Sequence, residues 1–500
     1  MGETEKGIME MSVNKQKQPI GLYWLFMTEL WERFGFYTIQ IIAVLYLSKG
    51  LGFSDSKAFL TVAGLNAMLY LTPVPGGMLA DKIIGYQRAI MIGGALLAVG
   101  YMTMAVPAEW GFFLGAAIVI AANGFFKPNV SSIVGDLYKQ DDPRRDGGFT
   151  IFYMGINVGA LLPSLFIGWL VSHYGWRSGF LVAMGGMILS LIVFFMGKKY
   201  LLECGRMPKS SLLKTQGAKT WGLIALGTVL IILAAFLLFE QPLILNLVVI
   251  SASLVCLLYV LFLTMKQEVG ARNKMFACLI LIAFSIGFNV LYNQTFTSLM
   301  LFADRNMVPY FLGIPITAEN TQFFNPFFII ILSPLLAAFW VKLGRKGLNP
   351  SVAYKFSYAI FLMTAGFAVL WLGITFFNVE GMTDSGWLVA SYFLQTSGEL
   401  LINPVGLAMI TVLAPRGYVG LMMGMWFLSN TAAFSLSGLV ATITSVPDGS
   451  SLQQASNIYA SGFGIFAIIS LVVAFLSIAC APFISRLIKG DKLGDKLEQL

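Results

Sequence analysis

The sequence predicts an all-α polytopic membrane protein, and three observations support this prediction. First, 57% of the 500 residues are hydrophobic and only 11% are charged, whereas soluble domains carry about 25% charged residues. Second, the apolar residues form continuous runs of roughly 20 residues, long enough for membrane-spanning helices and unlike the alternating strands of a β-barrel. Third, basic residues concentrate in every second loop. The net charge of +8 therefore marks topology rather than nucleic-acid binding.

Windows of about 19 residues place fourteen apolar segments along the chain. Several exceed the roughly 20 residues needed to cross a bilayer, so we expect tilted or protruding helix ends. The segments are 20–48, 57–80, 89–106, 111–135, 149–171, 177–196, 221–239, 243–265, 275–302, 320–341, 352–376, 386–413, 418–442 and 458–486.

The distribution of Lys and Arg predicts the orientation of these segments. With the N-terminus inside, 26 of the 32 basic residues fall in inside segments, and four fall outside (Lys49, Lys57, Arg177, Arg305). Cytoplasmic loops carry such an excess, so we expect both termini in the cytoplasm. The remaining two basic residues, Arg33 and Lys127, fall inside predicted spans.

The longest inside connection and a short apolar hairpin divide the chain into six, two and six helices. Two six-helix bundles are how many secondary transporters build a site near the midplane of the bilayer. We expect the hairpin to be a lipid-facing accessory. The predicted organisation is a tail (1–19), an N-terminal bundle (20–196), a basic linker with the hairpin (197–274), a C-terminal bundle (275–488) and a second tail (489–500).

Few ionisable residues lie at membrane depth, where each costs roughly 2.5–3.5 kcal/mol and so requires a cavity or a partner. Glu29, Glu32 and Arg33 lie in the first span. Because positions three and four apart share a helix face, Glu29 neighbours both of the others. The excess of acid favours a further cation or a proton as partner. A static ion-pair network that fixes helix packing is the alternative.

Lys127 in the fourth span is the obvious further cation. Pro128 follows it and removes a backbone hydrogen bond, which favours a cavity wall at this depth. The alternative is that the Lys127 side chain extends to the membrane interface. Lys139 marks the inside end of this helix, and it lies too far from Lys127 for the side chain to reach that end.

Glu399 lies in a late span that contains no cation, between Gly398 and Pro404. Its partner must come from another helix or from a ligand, unless the acid is protonated and bonded to a hydroxyl. The cations Arg33 and Lys127 lie in the first half of the chain, and the acid Glu399 lies in the second half. This distribution favours a ligand that carries a carboxylate for the cations and an amine for the acid. A short peptide is such a zwitterion.

The same residues carry a family resemblance. Residues 29–37 (ELWERFGFY) resemble the ExxERFxYY signature of the proton-dependent oligopeptide transporters, within the major facilitator superfamily. Residues 124–129 (GFFKPN) and 152–159 (FYMGINVG) look like two further family motifs. Residues 324–326 (FNP) and 398–407 (GELLINPVGL) look like others, so the resemblance covers nearly the whole chain. It implies the major facilitator fold, with two six-helix bundles and a two-helix insertion. The bacterial members share this extra hairpin, so the resemblance also implies a location in the bacterial inner membrane.

The resemblance also implies site residues and a mechanism of alternating access. The peptide carboxylate would meet Arg33 and Lys127, and its amine would meet Glu399. Glu29 and Glu32 would relay protons, with Arg33 and Glu399 also in the coupling route. The remaining implied contacts are the amides of Asn157 and Asn325 and the aromatic pockets of Tyr37, Tyr70 and Trp426. Ordinary helix packing remains the alternative for each aromatic residue.

Two departures from the family pattern affect this expectation. Phe36 replaces the first tyrosine of the signature and removes a hydroxyl. Asn293 stands where the family usually has a glutamate, and an amide cannot titrate. We count Asn293 among the substrate-site residues and expect that the coupling route or stoichiometry differs.

The sequence therefore predicts a proton symporter that imports di- and tripeptides, with no cofactor and no metal, working as a monomer. The nearest alternative is a relative that moves nitrate, an amino acid or a peptide-like metabolite. An intramembrane enzyme would need a nucleophile or ligand cluster at depth, but the one histidine, His173, lies at the outside end. A sensor that does not transport is the third alternative.

Overall fold

The computed structural model describes residues 17–139, 142, 144–201, 203–208, 211, 213, 216–415 and 418–489. The tails predicted at 1–19 and 489–500 lie outside these residues except for 17–19 and Lys489.

Long helices account for most of the described chain. Those before the basic linker are α1 (Ile20–Leu45), α2 (Asp55–Leu71), α3 (Pro73–Leu79), α4 (Tyr86–Met104), α5 (Glu109–Asp136), α6 (Arg145–Tyr174) and α7 (Trp176–Gly197). The hairpin consists of α8 (Gly217–Phe239) and α9 (Pro242–Met265). The later helices are α10 (Val269–Tyr292), α11 (Ser298–Asn306), α12 (Phe324–Arg345), α13 (Val352–Phe376), α14 (Ser385–Leu413), α15 (Val419–Ala441) and α16 (Leu452–Lys489).

Each of the fourteen predicted segments falls on one of these helices or on a helix that is interrupted within it. Within the described residues, eleven helices are long and apolar enough to cross a membrane. The number of fourteen crossings stays a prediction.

Two predicted spans are interrupted in the structure. The span at 57–80 breaks at Thr72, because Pro73 begins α3 and cannot donate a helical hydrogen bond. A π-helical turn, Ala80–Ile84, then ends at Gly85, whose φ of 80° is readily adopted only by glycine. The span at 275–302 breaks at a 3-10 turn, Asn293–Phe296, between α10 and α11.

A short hairpin follows α11. The strands β1 (Tyr310–Phe311) and β2 (Ile314–Pro315) pair antiparallel, with Tyr310 opposite Pro315. The turn uses positive φ at Leu312 (50°) and Gly313 (79°).

The chain forms two compact units. The first unit is formed by the described residues of Met1–Ile39, Thr72–Pro163 and Arg177–Ala235. The second unit is formed by those of Gln40–Leu71, Ser164–Trp176 and Phe236–Leu500. Helix α1 therefore contributes its first part to one unit and its last part to the other.

Glycines set the close packing inside each unit. In the first unit, a Cβ added at Gly76 would lie 1.9 Å from the carbonyl oxygen of Gly124, so α3 and α5 touch backbone to backbone. In the second unit, a Cβ at Gly64 would lie 2.5 Å from Leu245 Cδ2, which packs α9 against α2. Small residues allow such approaches, which drive helix association in lipid.

The two helices of the helical hairpin, α8 and α9, are the most exposed of the apolar helices apart from α12. Their most apolar windows are 11% buried for Gly217–Phe239 and 22% buried for Pro242–Met265. Leu230, Leu254 and Val255 are among their exposed apolar residues. Such surfaces are stable only in a hydrocarbon environment.

Candidate functional site

The acidic pair and the arginine of α1 form a buried cluster in the first unit. Arg33 donates from Nε to Glu32 Oε2 at 2.5 Å and from Nη2 to Glu32 Oε1 at 2.7 Å. Its Nε also lies 3.3 Å from Glu29 Oε1, four residues earlier on the same face. The three side chains are 1–6% exposed. The helical spacing therefore brings them together, as the sequence predicts.

Phe36 connects Arg33 to Lys127. The Arg33 guanidinium carbon lies 4.5 Å from the centroid of the Phe36 ring, and Lys127 Nζ lies 6.0 Å from it. Cations within about 6 Å of an aromatic ring are attracted to its face. The Tyr37 ring meets the edge of Phe36 at 5.3 Å between centroids. The residue that departs from the family signature thus contacts both cations.

One carboxylate oxygen in this cluster is unsatisfied. Glu29 Oε2 is buried and finds no hydrogen-bond partner among the described residues. A carboxylate accepts at both oxygens, whereas a carboxylic acid carries a proton on one of them. Among the carboxylate oxygens of Glu29 and Glu32, this is the one that is buried without a partner in the described part of the chain.

Asn157 on α6 lies in the same unit as the cluster. It is 8% exposed, and its Nδ2 donates to the carbonyl oxygen of Tyr153 in its own helix at 3.0 Å. Two glycines flank it and bring α6 against α1. A Cβ added at Gly159 would lie 2.5 Å from Leu30 O and 2.8 Å from Arg33 Cβ.

Glu399 lies in the second unit, in a network of neutral donors. Asn325 donates from Nδ2 to Glu399 Oε2 at 2.9 Å and to Thr396 Oγ1 at 3.0 Å. Asn403 donates from Nδ2 to Glu399 Oε1 at 3.4 Å. The Tyr292 hydroxyl also hydrogen-bonds the Glu399 carboxylate. No Lys or Arg forms an ion pair with Glu399 within the described residues.

The structure adds three residues to this network that the sequence interpretation does not single out. Asn403 and Thr396 lie four after and three before Glu399, so helical spacing could have identified both. Tyr292 ends α10 and comes from a different helix, so no local pattern points to it. Its ring stacks on Phe288 at 6.0 Å between centroids.

Asn293 is 5% exposed and begins the 3-10 turn that separates α10 from α11. Its neighbour Gln294 fixes this turn. Gln294 Nε2 donates to the carbonyl oxygens of Ser437 at 3.1 Å and Val290 at 3.0 Å, and its Oε1 accepts from Ser298 Oγ at 2.8 Å. The position at which an acid is expected is thus a buried amide at a helix break.

The two remaining aromatic candidates pack against helices of the second unit. The Tyr70 ring lies 5.3 Å from the Phe434 ring between centroids. The Trp426 ring fills the space left by Gly406, where an added Cβ would lie 2.0 Å from the ring. Trp426 is 3% exposed, whereas Tyr70 is half-buried.

Within the described residues, no group of three or more His, Cys, Asp or Glu side chains could hold a metal ion. The chemistry that the two clusters can support is proton uptake by carboxylates and the binding of charged groups. Neither task needs a cofactor.

Comparisons with known proteins identify the family of the chain. The sequence profile of the POT family matches residues 87–459. The chain is 37% identical over 491 residues to a protein of Erwinia pyrifoliae named dipeptide and tripeptide permease A, covering 97% of this chain and 98% of that protein.

The chain is also similar to solved structures of peptide transporters. A crystal structure of the peptide transporter POT in complex with sulfate is 33% identical, with a TM-score of 0.81, covering 95% of this chain and 96% of that one. A second structure, described as giving insights into substrate recognition in proton dependent oligopeptide transporters, is 31% identical with a TM-score of 0.80, covering 94% and 100% of the two chains. The chain accordingly has the major facilitator fold and belongs to the POT family of membrane transporters, which are not enzymes.

Proposed function

We propose that this protein imports di- and tripeptides together with protons by alternating access. The observation that carries the proposal is the network around Glu399. Its carboxylate is held by neutral donors and forms no ion pair within the described residues. Its negative charge is therefore available to a peptide amine, which is the group that distinguishes a peptide from a simple anion.

Two cations carry the opposite charge that a peptide carboxylate requires. Arg33 and Lys127 both contact the ring of Phe36. We assign the peptide carboxylate to these two residues, and a contact with the peptide amine also to Asn325. Asn157, Asn293, Tyr37, Tyr70 and Trp426 are the further residues that we assign to the binding site. The relatives named as di- and tripeptide permeases support this substrate class.

Proton coupling is assigned to the cluster on α1. Glu29 has an unsatisfied oxygen next to the Glu32–Arg33 pair. A carboxylate ligand that binds Arg33 competes with Glu32 and Glu29 for the guanidinium, so peptide binding favours protonation of an acid released from it. One charge that crosses 100 mV gains about 2.3 kcal/mol, roughly a fiftyfold gradient.

We further propose that a single chain transports, that it lies in the bacterial inner membrane and that both termini are cytoplasmic. The concentration of basic residues in alternate loops supports this orientation.

The test is uptake into proteoliposomes with an imposed pH gradient. A labelled dipeptide should accumulate, and a protonophore should abolish the accumulation. Unlabelled dipeptides and tripeptides should compete, whereas nitrate and single amino acids should not. Accumulation that survives the protonophore would contradict proton coupling, and competition by nitrate or amino acids alone would contradict the substrate class.

A second candidate is transport of another small zwitterion or anion with altered coupling. The buried amide of Asn293 favours it, because that position cannot exchange a proton. The same competition panel distinguishes the two candidates.

A further inference from the structure

We propose that the second unit binds an anionic phospholipid in a groove between α9, α10 and α16. The groove encloses about 400 Å³ and is lined by Met265, Arg272, Phe276, Ile280, Phe483 and Leu487. This site is separate from the residues that we assign to the peptide.

The groove has the polarity of a lipid. Arg272, Phe276 and Ile280 are spaced four residues apart on α10, so they form one stripe along the helix. Arg272, with Asn273 beside it, lies near the start of α10, and the two apolar residues follow one and two turns deeper. We call the end of the groove that holds Arg272 its mouth. A lipid would match this order of residues, with its charged headgroup at the mouth and its acyl chain along the apolar wall.

The facing wall comes from α16. Phe483 and Leu487 are also four residues apart, and α16 packs against α10. The groove is lined by residues near the start of α10 and near the end of α16, so Leu487 lies nearer to the end that holds Arg272 and Phe483 lies deeper. More than half of the Phe483 and Met265 surfaces is exposed, at 54% and 64%. A hydrocarbon chain would cover both.

The positive charge of Arg272 at the mouth of the groove favours an anionic ligand. No carboxylate forms an ion pair with Arg272 in the part of the chain that the structure describes, although the side chain is half-buried. Between Met265 and Lys274 the sequence holds three basic residues and a single acid, Glu268. Charge complementarity therefore favours a phosphate.

The occupant is a lipid rather than a free phosphate, because five of the seven residues that line the groove have apolar side chains and only Arg272 and Asn273 are polar. Basic pockets between helices on the cytoplasmic side are typical sites for anionic lipid headgroups. The distribution of Lys and Arg predicts that this end of the helices faces the cytoplasm.

The experiment measures lipid retention by native mass spectrometry of the full chain. The probes are phosphatidylglycerol and phosphatidylcholine with identical oleoyl chains, and inorganic phosphate serves as a competitor. We expect the wild type to retain phosphatidylglycerol in preference and to keep it in the presence of phosphate. Arg272→Gln should weaken this preference about fivefold.

Arg486→Gln is the matched control, because it removes the same charge from the exposed side of α16 and does not line the groove. It should change the preference less than twofold. Arg272→Lys keeps the charge and should retain most of the preference, which separates loss of binding from loss of folding. Leu487→Trp fills the groove without altering charge and should also release the lipid.

Equal retention of phosphatidylglycerol by the wild type and Arg272→Gln would overturn the proposal. An equal loss in Arg486→Gln would also overturn it, since binding would then follow surface charge alone. Displacement by inorganic phosphate would overturn the assignment to a lipid.

Discussion

The guanidinium of Arg305 forms a bidentate ion pair with the carboxylate of Asp55. Nη1 donates to Asp55 Oδ2 at 2.6 Å and Nη2 donates to Oδ1 at 2.7 Å. The backbone N–H of Val446 also donates to Asp55 Oδ2 at 2.9 Å, and Arg305 reaches Tyr459 Oη at 3.3 Å. The pair joins the start of α2 to the end of α11, within the second unit and 250 residues apart in sequence. Bidentate geometry of this kind gives strong, charge-assisted bonds.

We expect Asp55→Asn to destabilise the protein substantially, because it leaves the guanidinium of Arg305 without its carboxylate. Breaking a buried pair costs about 3–5 kcal/mol, and we expect about 3 kcal/mol here, since 27% of the Arg305 side chain is exposed. Thermal unfolding in detergent measures the effect. The double variant Asp55→Arg with Arg305→Asp should recover part of the loss.

Lys49 provides the control for this pair. It forms an ion pair with Asp304 at 2.6 Å, but 53% of its side chain is exposed. Lys49→Gln should cost less than about 1 kcal/mol. Equal effects of Asp55→Asn and Lys49→Gln would contradict a special role for the buried pair.

Glu399→Gln should abolish peptide accumulation while the protein still inserts and unfolds at an almost unchanged temperature. The amide keeps an oxygen that can accept from Asn325, so the local packing survives. The missing charge removes the attraction for the peptide amine. Uptake of a labelled dipeptide into proteoliposomes is the measurement.

Thr396→Val is the matched variant, because it removes only the acceptor of the second Asn325 bond. It should reduce uptake by less than about tenfold, corresponding to a lost bond of about 1 kcal/mol. Wild-type uptake by Glu399→Gln would remove Glu399 from the binding site.

Asn293→Glu should steepen the dependence of uptake on the imposed pH gradient. The variant places a titratable group at the buried helix break between α10 and α11. Asn293→Gln has a similar size and no charge, so it controls for the change in volume. Identical pH profiles for the two variants would show that this position takes no part in coupling.

Lys355→Met should stabilise the protein. Lys355 is fully buried, and Nζ finds no hydrogen-bond partner among the described residues. Its contact with the ring of Trp340, at 4.6 Å from the centroid, contributes about 2 kcal/mol when desolvated. The desolvation cost of a buried ammonium is several kcal/mol. An unfolding temperature above that of the wild type is expected, and one below it would mean that the ring contact outweighs desolvation.

The helices could be predicted from the sequence because apolar runs alone determine them. The cluster of Glu29, Glu32 and Arg33 could also be predicted, since its spacing lies within one helix turn. Asp55 with Arg305 could not, because the two residues lie 250 positions apart and neither lies in a span where charge is conspicuous. Tyr292 was missed for the same reason, as its bond to Glu399 joins two different helices.

The helix breaks were only partly foreseeable. Pro73 explains the start of α3, but the turn at Asn293–Phe296 depends on a bond from Gln294 to Ser437, 143 residues away. A local pattern cannot reveal such a contact.

The glycines at 155 and 159 have a mechanical consequence. A methyl group at Gly155 would lie 3.0 Å from Phe26 Cδ2, and one at Gly159 would lie 2.5 Å from Leu30 O. At Gly159, α6 lies against the main chain of α1, so a larger residue there would push the two helices apart. We therefore expect α1 and α6 to move as one body, so that a rocking motion carries the guanidinium of Arg33 and the amide of Asn157 together.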